Sequence, residues 1–149
     1  MKAVIALGAN LGEPRKQLSS AIDSIREVIR VDAVSSFLET KPVGVTDEQP
    51  NYLNAVIIGD SDLKPLDLMR SLLAIETELG RVRTFVNAAR TIDIDLIEYG
   101  GYFMSSKELT LPHPRAHERR FVLEPWLEID PDGFLAGRGL IAEILSQLK

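Results

Sequence analysis

The sequence predicts an α+β protein built on a mostly antiparallel sheet with helices packed on it. Three observations lead there. Strand-like and helix-like segments follow one another in the order β-α-β-β-α-β. Each of the two helical segments opens on a proline and carries an apolar stripe at helical spacing. The chain has 149 residues, 45% hydrophobic and 26% charged, enough to bury a core without disulfides or a structural metal. No linker or internal repeat divides it, so residues 1–149 read as a single domain.

The elements follow in order. Val4 to Leu7 is a short buried strand that Gly8 ends. Pro14 opens a helix whose stripe is Leu18, Ile22, Ile25 and Ile29. Val31 to Thr40, rich in β-branched and small residues, is a second strand. Lys41 to Gln49 is a loop, and Tyr52 to Ile58 is a third strand. Pro65 opens the second helix, with Leu68, Leu72, Ile75 and Leu79 on one face and Gly80 at its end. Arg81 to Arg90 is a polar loop without an acidic residue. Thr91 to Tyr99 alternates, with Ile92, Ile94 and Leu96 on one face and Thr91, Asp93 and Asp95 on the other. Beyond the Gly100-Gly101 turn lie short strands at 102–104 and 109–111 and a helical turn at 114–119. Phe121 to Leu127 is an apolar run with a partly buried Trp126. Asp130 to Gly133 is a turn, and Leu140 to Leu148 is a final helix. The natural arrangement of such a chain places the helices on one side of the sheet.

Composition excludes several classes. There are no cysteines, hence no disulfide framework, zinc ribbon, iron–sulfur cluster or thiol nucleophile. No apolar run approaches the ~18 residues of a membrane span, and the N-terminal apolar stretch is too short for a signal peptide. A cytoplasmic protein that binds neither membrane nor nucleic acid is expected: the absent cysteines fit a reducing cytosol, no apolar run is long enough for a span, and a net charge of −5 argues against bulk nucleic-acid binding. That charge is uneven. Residues 81–120 hold 7 basic and 5 acidic side chains, including six of the eleven arginines. Such a stretch either holds an anion or is scattered surface charge.

Familiar motifs fail. There is no P-loop, dinucleotide fingerprint, nucleophile elbow or HExxH. Asp130 and Asp132 start like a calcium loop, but Phe134 takes the next ligand position.

Four segments carry chemistry. In Arg90-Thr91-Ile92-Asp93-Ile94-Asp95-Leu96 the two carboxylates share a strand face, with backbones ~7 Å apart. Such a pair suits magnesium and a polyphosphate, or is the solvated face of an amphipathic strand. Arg81, Arg83 and Arg90 could grip phosphate or line a solvated loop. His113, between Pro112 and Pro114 and followed by Arg115, Arg119 and Arg120, could donate to phosphate or cap a turn. Tyr52 and Asn54 share a strand face that could stack on and hydrogen-bond a flat heterocycle, or could simply belong to the sheet.

Together with Leu7-Gly8-Ala9-Asn10-Leu11-Gly12, these segments resemble the 6-hydroxymethyl-7,8-dihydropterin pyrophosphokinases of folate synthesis, from about residue 3 to 129. The resemblance implies a ferredoxin-like fold and transfer of pyrophosphate from ATP to the pterin hydroxymethyl group, releasing AMP. It implies two magnesium ions held by Asp93 and Asp95, with Arg83 and Arg90 completing the catalytic set. Glu76, Arg83, Arg90, Leu96, Thr110, His113 and Arg119 fall at ATP-binding positions. Thr40, Pro42, Val43, Tyr52, Asn54 and Phe121 fall at pterin-binding positions, with Tyr52 and Phe121 sandwiching the ring. The partners are then ATP and a reduced hydroxymethylpterin, and the protein a monomer or weak homo-oligomer.

The chain departs from the family pattern at three places. Val86 to Ala89 lacks the usual arginine and tryptophan before Arg90, Lys41 replaces a frequent proline, and Glu48 is an insertion. Segments 11–15, 41–51 and 83–90 are candidate lids that would exclude water. The rivals are a non-catalytic binding module on the same scaffold and a kinase for another hydroxymethyl heterocycle.

Overall fold

The computed structural model describes residues 1–10, 12–41, 51–80 and 92–148. The first strand, β1, spans Lys2–Ala9 and runs through Gly8 instead of ending there. It continues because a full antiparallel ladder covers it on both edges, and Gly8 is paired on each side. Helix α1, Pro14–Arg26, turns Leu18, Ala21, Ile22 and Ile25 inward. The expected second strand is two pieces, β2 Arg30–Val34 and β3 Leu38–Thr40. The break is chemical. Ser35 N still donates to the Val56 carbonyl at 2.9 Å, but the return bond from Val56 N goes to the Ser35 hydroxyl at 2.9 Å, which itself donates to the Ser36 carbonyl, so a side chain takes over half of the ladder there.

Both pieces pair with β4, Tyr52–Asp60. Helix α2, Pro65–Gly80, leads to β5, Asp93–Tyr99, on the far edge. The sheet order is β2-β4-β1-β5, with β3 also on β4. Both of β1's pairings and both of β4's other pairings are antiparallel. With β2 and β3 taken as one interrupted strand, this is the ferredoxin-like arrangement.

The C-terminal part adds β6 Met104–Ser105, β7 Thr110–Leu111, a 3₁₀ turn Ala116–Glu118, helix α3 Arg120–Ile129, a small hairpin of β8 Phe134–Leu135 and β9 Gly139–Leu140, and helix α4 Ile141–Gln147. Sequence patterning marks 121–127 only as apolar because Pro125 stands inside that helix and removes a donor from its ladder.

Two cores result, and they correct the expectation of helices on one side. Ile5, Leu7, Ile57, Ile94 and Leu96 pack against α1 and α2 on one face. Val4, Val56, Ile58 and Ile97 pack against α3 and α4 on the other. Trp126 sits in the second core at 1% exposure, fully buried rather than partly. Its Nε1–H donates to Asp130 Oδ2 at 2.9 Å, which satisfies the one polar atom the ring carries inside. An extra residue in β5 lets Ile97 face the second core while Tyr99 returns to the first, since Val4 pairs with Glu98 and Ile5 with Leu96.

Candidate active site

Helix α3 does not cover the whole of its face of the sheet. Between the 3₁₀ turn, the start of α3 and the exposed ends of β1, β3, β4 and β5 lies a cleft of about 800 Å³. Thr40, Tyr52, Asn54, Asp93, Asp95, Arg119 and Phe121 line it, so seven of the expected site residues converge there. A second cleft of about 340 Å³ lies off the outer edge of β5, between α2 and β7. Glu76, Leu96, Thr110 and His113 line this one, again with Asp95. Asp95 belongs to both clefts and marks their junction. Arg83, Arg90, Pro42 and Val43 lie outside the described residues, as do the altered segment 86–89 and the lid candidates apart from residues 12–15, 41 and 51.

Tyr52 and Phe121 both line the larger cleft, one from the first residue of β4 in the sheet and one from the first turn of α3. Asn54 is buried, and its amide is fixed. Nδ2 donates to the Leu38 carbonyl at 3.2 Å and to Thr40 Oγ1 at 2.8 Å. Both amide hydrogens are thereby used, leaving Oδ1 as the group offered to anything else. Arg119 lies over the Phe121 ring, 5.6 Å from its centroid. Arg119 therefore stands at the wall of the larger cleft, beside the expected heterocycle site.

In the smaller cleft Glu76 continues the α2 stripe of Leu68 and Leu72 at four-residue spacing and is buried. Its Oε2 accepts from Ile94 N at 2.8 Å. An acid on an apolar stripe is the sequence signal for such a clamp. It fixes β5 between the two aspartates. His113 N donates to the Ile97 carbonyl at 2.8 Å, holding that segment to the same strand edge. His113 Nδ1 accepts from Arg115 N at 3.2 Å, which assigns the proton of the neutral ring to Nε2. Burial holds His113 below the usual histidine range; Arg119 and Arg115 push the same way, and Asp95 opposes them. At the rim Arg70 donates from Nε and Nη2 to the two oxygens of Glu108, each at 3.0 Å, and ties α2 to the segment leading into β7.

Asp93 and Asp95 project from one face of β5 and are half-buried, offering hard oxygen donors. Among the described residues no group of three or more Asp, Glu, His or Cys side chains is placed to hold a metal. The pair Asp93 and Asp95 by itself fits magnesium, which takes one or two carboxylates and completes its shell with water and phosphate oxygens.

Sequence patterning named Gly8 and Arg115 only as members of motifs, with no site role, and did not single out Ala6 and Glu118, which also line the larger cleft, or Met69, Leu73 and Glu108 in the smaller one. Small residues at alternate positions of a strand were the available signal for Ala6 and Gly8.

A ferredoxin-like scaffold with two clefts meeting at a carboxylate, ringed by a histidine and arginines, fits the class of enzymes that move a phosphate group between two bound molecules. Residues 4–131 match the family model described as 7,8-dihydro-6-hydroxymethylpterin-pyrophosphokinase (HPPK), and the chain belongs to that family. The 2-amino-4-hydroxy-6-hydroxymethyldihydropteridine pyrophosphokinase of Haemophilus influenzae is 41% identical over 147 residues, covering 97% of this chain and 91% of that protein. The enzyme of the same name from Pseudomonas aeruginosa is 37% identical, covering 97% and 90%. Among solved structures, wild-type Plasmodium falciparum HPPK-DHPS with pteroate superposes with a TM-score of 0.74 at 13% identity, over 97% of this chain and 42% of that one. That last likeness concerns the fold.

Proposed function

We propose that the smaller cleft holds ATP, that the larger holds 6-hydroxymethyl-7,8-dihydropterin, and that the protein transfers pyrophosphate from the first to the second, releasing AMP. The observation that carries this is the position of Asp95 at the junction of the two clefts. The pterin hydroxymethyl oxygen bonds to the β-phosphorus. The bond from that phosphorus to the oxygen bridging it to the α-phosphate breaks, AMP leaves with that oxygen, and the hydroxyl proton passes to solvent.

The roles of Tyr52, Phe121, Asn54, Thr40, Leu96, Thr110, His113, Arg119, Asp93 and Asp95 are read from the cleft each lines together with the family resemblance, and those of Pro42, Val43, Arg83 and Arg90 from the resemblance alone. Tyr52 and Phe121 sandwich the pterin ring. Asn54 and Thr40 hydrogen-bond its edge, and Pro42 and Val43 are assigned to the same substrate. Leu96 offers backbone groups to the adenine from the strand edge that Glu76 holds. Thr110 and the Nε2–H of His113 donate to phosphate oxygens. Arg83, Arg90 and Arg119 offset charge on the transferred group. Asp93 and Asp95 hold magnesium, two ions with ATP, which when bound withdraws charge from the phosphate oxygens. A cytoplasmic setting and a monomeric or weakly self-associating state belong to the same reading, as does a single domain over 1–149.

The test is pterin-dependent AMP release from ATP with magnesium, in wild type and in Asp95→Ala. Outer partners of metal ligands cost about 10–100-fold when removed, so loss of a direct ligand should lower turnover by more than about 100-fold. Far-UV circular dichroism should stay unchanged. AMP release without pterin, or full turnover in Asp95→Ala, would overturn the reading.

A further inference from the structure

The floor of the larger cleft is β1, and the residues that form it carry almost no side chain. Ala6 and Gly8 alternate with Ile5 and Leu7, which face α1 and α2, so they point into the cleft instead. The register fixes their neighbours. Gly8 pairs with Asn54 of β4 on one side and with Asp93 of β5 on the other. Ala6 pairs in the same way with Val56 and Asp95. At ~4.8 Å per strand spacing, the backbones of Asn54 and Asp93 stand about 10 Å apart, with only Gly8 between them.

Backbone conformation does not require a glycine here. Gly8 lies inside a regular strand and is absent from the residues with positive φ. A glycine inside a strand costs stability relative to alanine, and one without a conformational reason marks a close approach by another group. A Cβ on Gly8 would stand 3.2 Å from Asn54 Oδ1, the oxygen that the fixed amide offers to the cleft. Adding a side chain would therefore crowd that acceptor and fill the space between it and Asp93.

We propose that Gly8, with Ala6 beside it, is a specificity-determining position for the pterin: the bare floor lets a ring held at Asn54 lie low enough for its hydroxymethyl arm to reach across to the phosphate held at Asp93 and Asp95. This rests on the pyrophosphokinase reading above. It assigns Gly8 to the approach of one substrate to the other, and not to the binding of ATP.

The experiment compares wild type with Gly8→Ala and Gly8→Val. It measures steady-state kinetics against pterin, calorimetric binding of pterin with a non-hydrolysable ATP analogue and magnesium present, binding of that analogue alone, and Tm. A displacement of about 1 Å at reacting atoms costs about 100-fold. We expect kcat/KM for pterin to fall by about tenfold in Gly8→Ala and by about 100-fold in Gly8→Val. The analogue should bind as in wild type, and Tm should change little in Gly8→Ala, where the better strand propensity of alanine works against the 3.2 Å approach to Asn54 Oδ1. Wild-type kinetics in Gly8→Val would overturn the proposal, as would parallel losses of analogue affinity and Tm. A wild type that binds pterin without releasing AMP would sink the pyrophosphokinase reading alone, and graded loss of pterin binding across the two variants would still support the floor. A wild type that binds no pterin would sink both.

Discussion

His113 shows how one side chain joins backbone to chemistry. Its backbone N–H is spent on the β5 edge, its Nδ1 on the next turn, and its Nε2 is left for a ligand. Its folded pKa is depressed below the usual 6.5, first by burial and then by two arginines. The sign for stability follows. Below pH 6.5 the unfolded chain takes up a proton that the folded ring resists, so stability is lost as pH falls through the folded value. The Tm advantage of wild type over His113→Gln should shrink as pH is lowered below 6.5, and the ring should titrate below 6.5 by NMR. A Tm difference independent of pH, with a normal titration, would contradict this account.

At the scale of elements, close approach between β4 and its neighbour decides what the chain tolerates. Gly59 pairs with Val31 beside an irregularity in the β2 ladder. A Cβ there would lie 2.6 Å from the Arg30 carbonyl oxygen and 2.8 Å from Ile29 Cδ1. Backbone cannot swing aside as a side-chain tip can, so overpacking should cost about 1–3 kcal/mol. Chemical denaturation of Gly59→Ala should show that loss while the kinetics stay close to wild type, since Gly59 lines neither cleft. It is the counterpart of Gly8→Ala, where activity should fall and stability should change little. The same strands also show the limits of patterning. The break at Ser35 depends on a hydroxyl that reaches Val56, a residue 21 positions away, and local propensity cannot register that.

At the scale of the molecule, one sheet carries two cores. The strand β1 supplies Ile5 and Leu7 to one and Val4 to the other, so neither layer is covered without the shared strand. A domain of this size with shared elements should unfold in one cooperative step. Trp126 is the single tryptophan and reports the α3 layer, while far-UV circular dichroism reports the whole fold. The two urea transitions should coincide. A tryptophan transition at lower urea would show the α3–α4 layer coming away by itself, and with it the wall that carries Phe121 and Arg119.

The sequence by itself determined the order of elements through the sheet, the two prolines that open α1 and α2, and the Asp93/Asp95 pair on one strand face. Periods of two and of 3.6 residues are local properties, and they survive folding unchanged. The site roles of Tyr52, Asn54, His113 and Phe121 were legible by another route, the resemblance to the family. The tertiary structure alone decided which cleft each of them entered, that Asp95 stands where the clefts meet, and that α3 covers the opposite face of the sheet from α1 and α2. It also decided that Gly8 lies between Asn54 and Asp93, which are 46 and 85 residues distant from it in the chain. Strand register is a long-range relation set by packing on both faces, and no local pattern contains it.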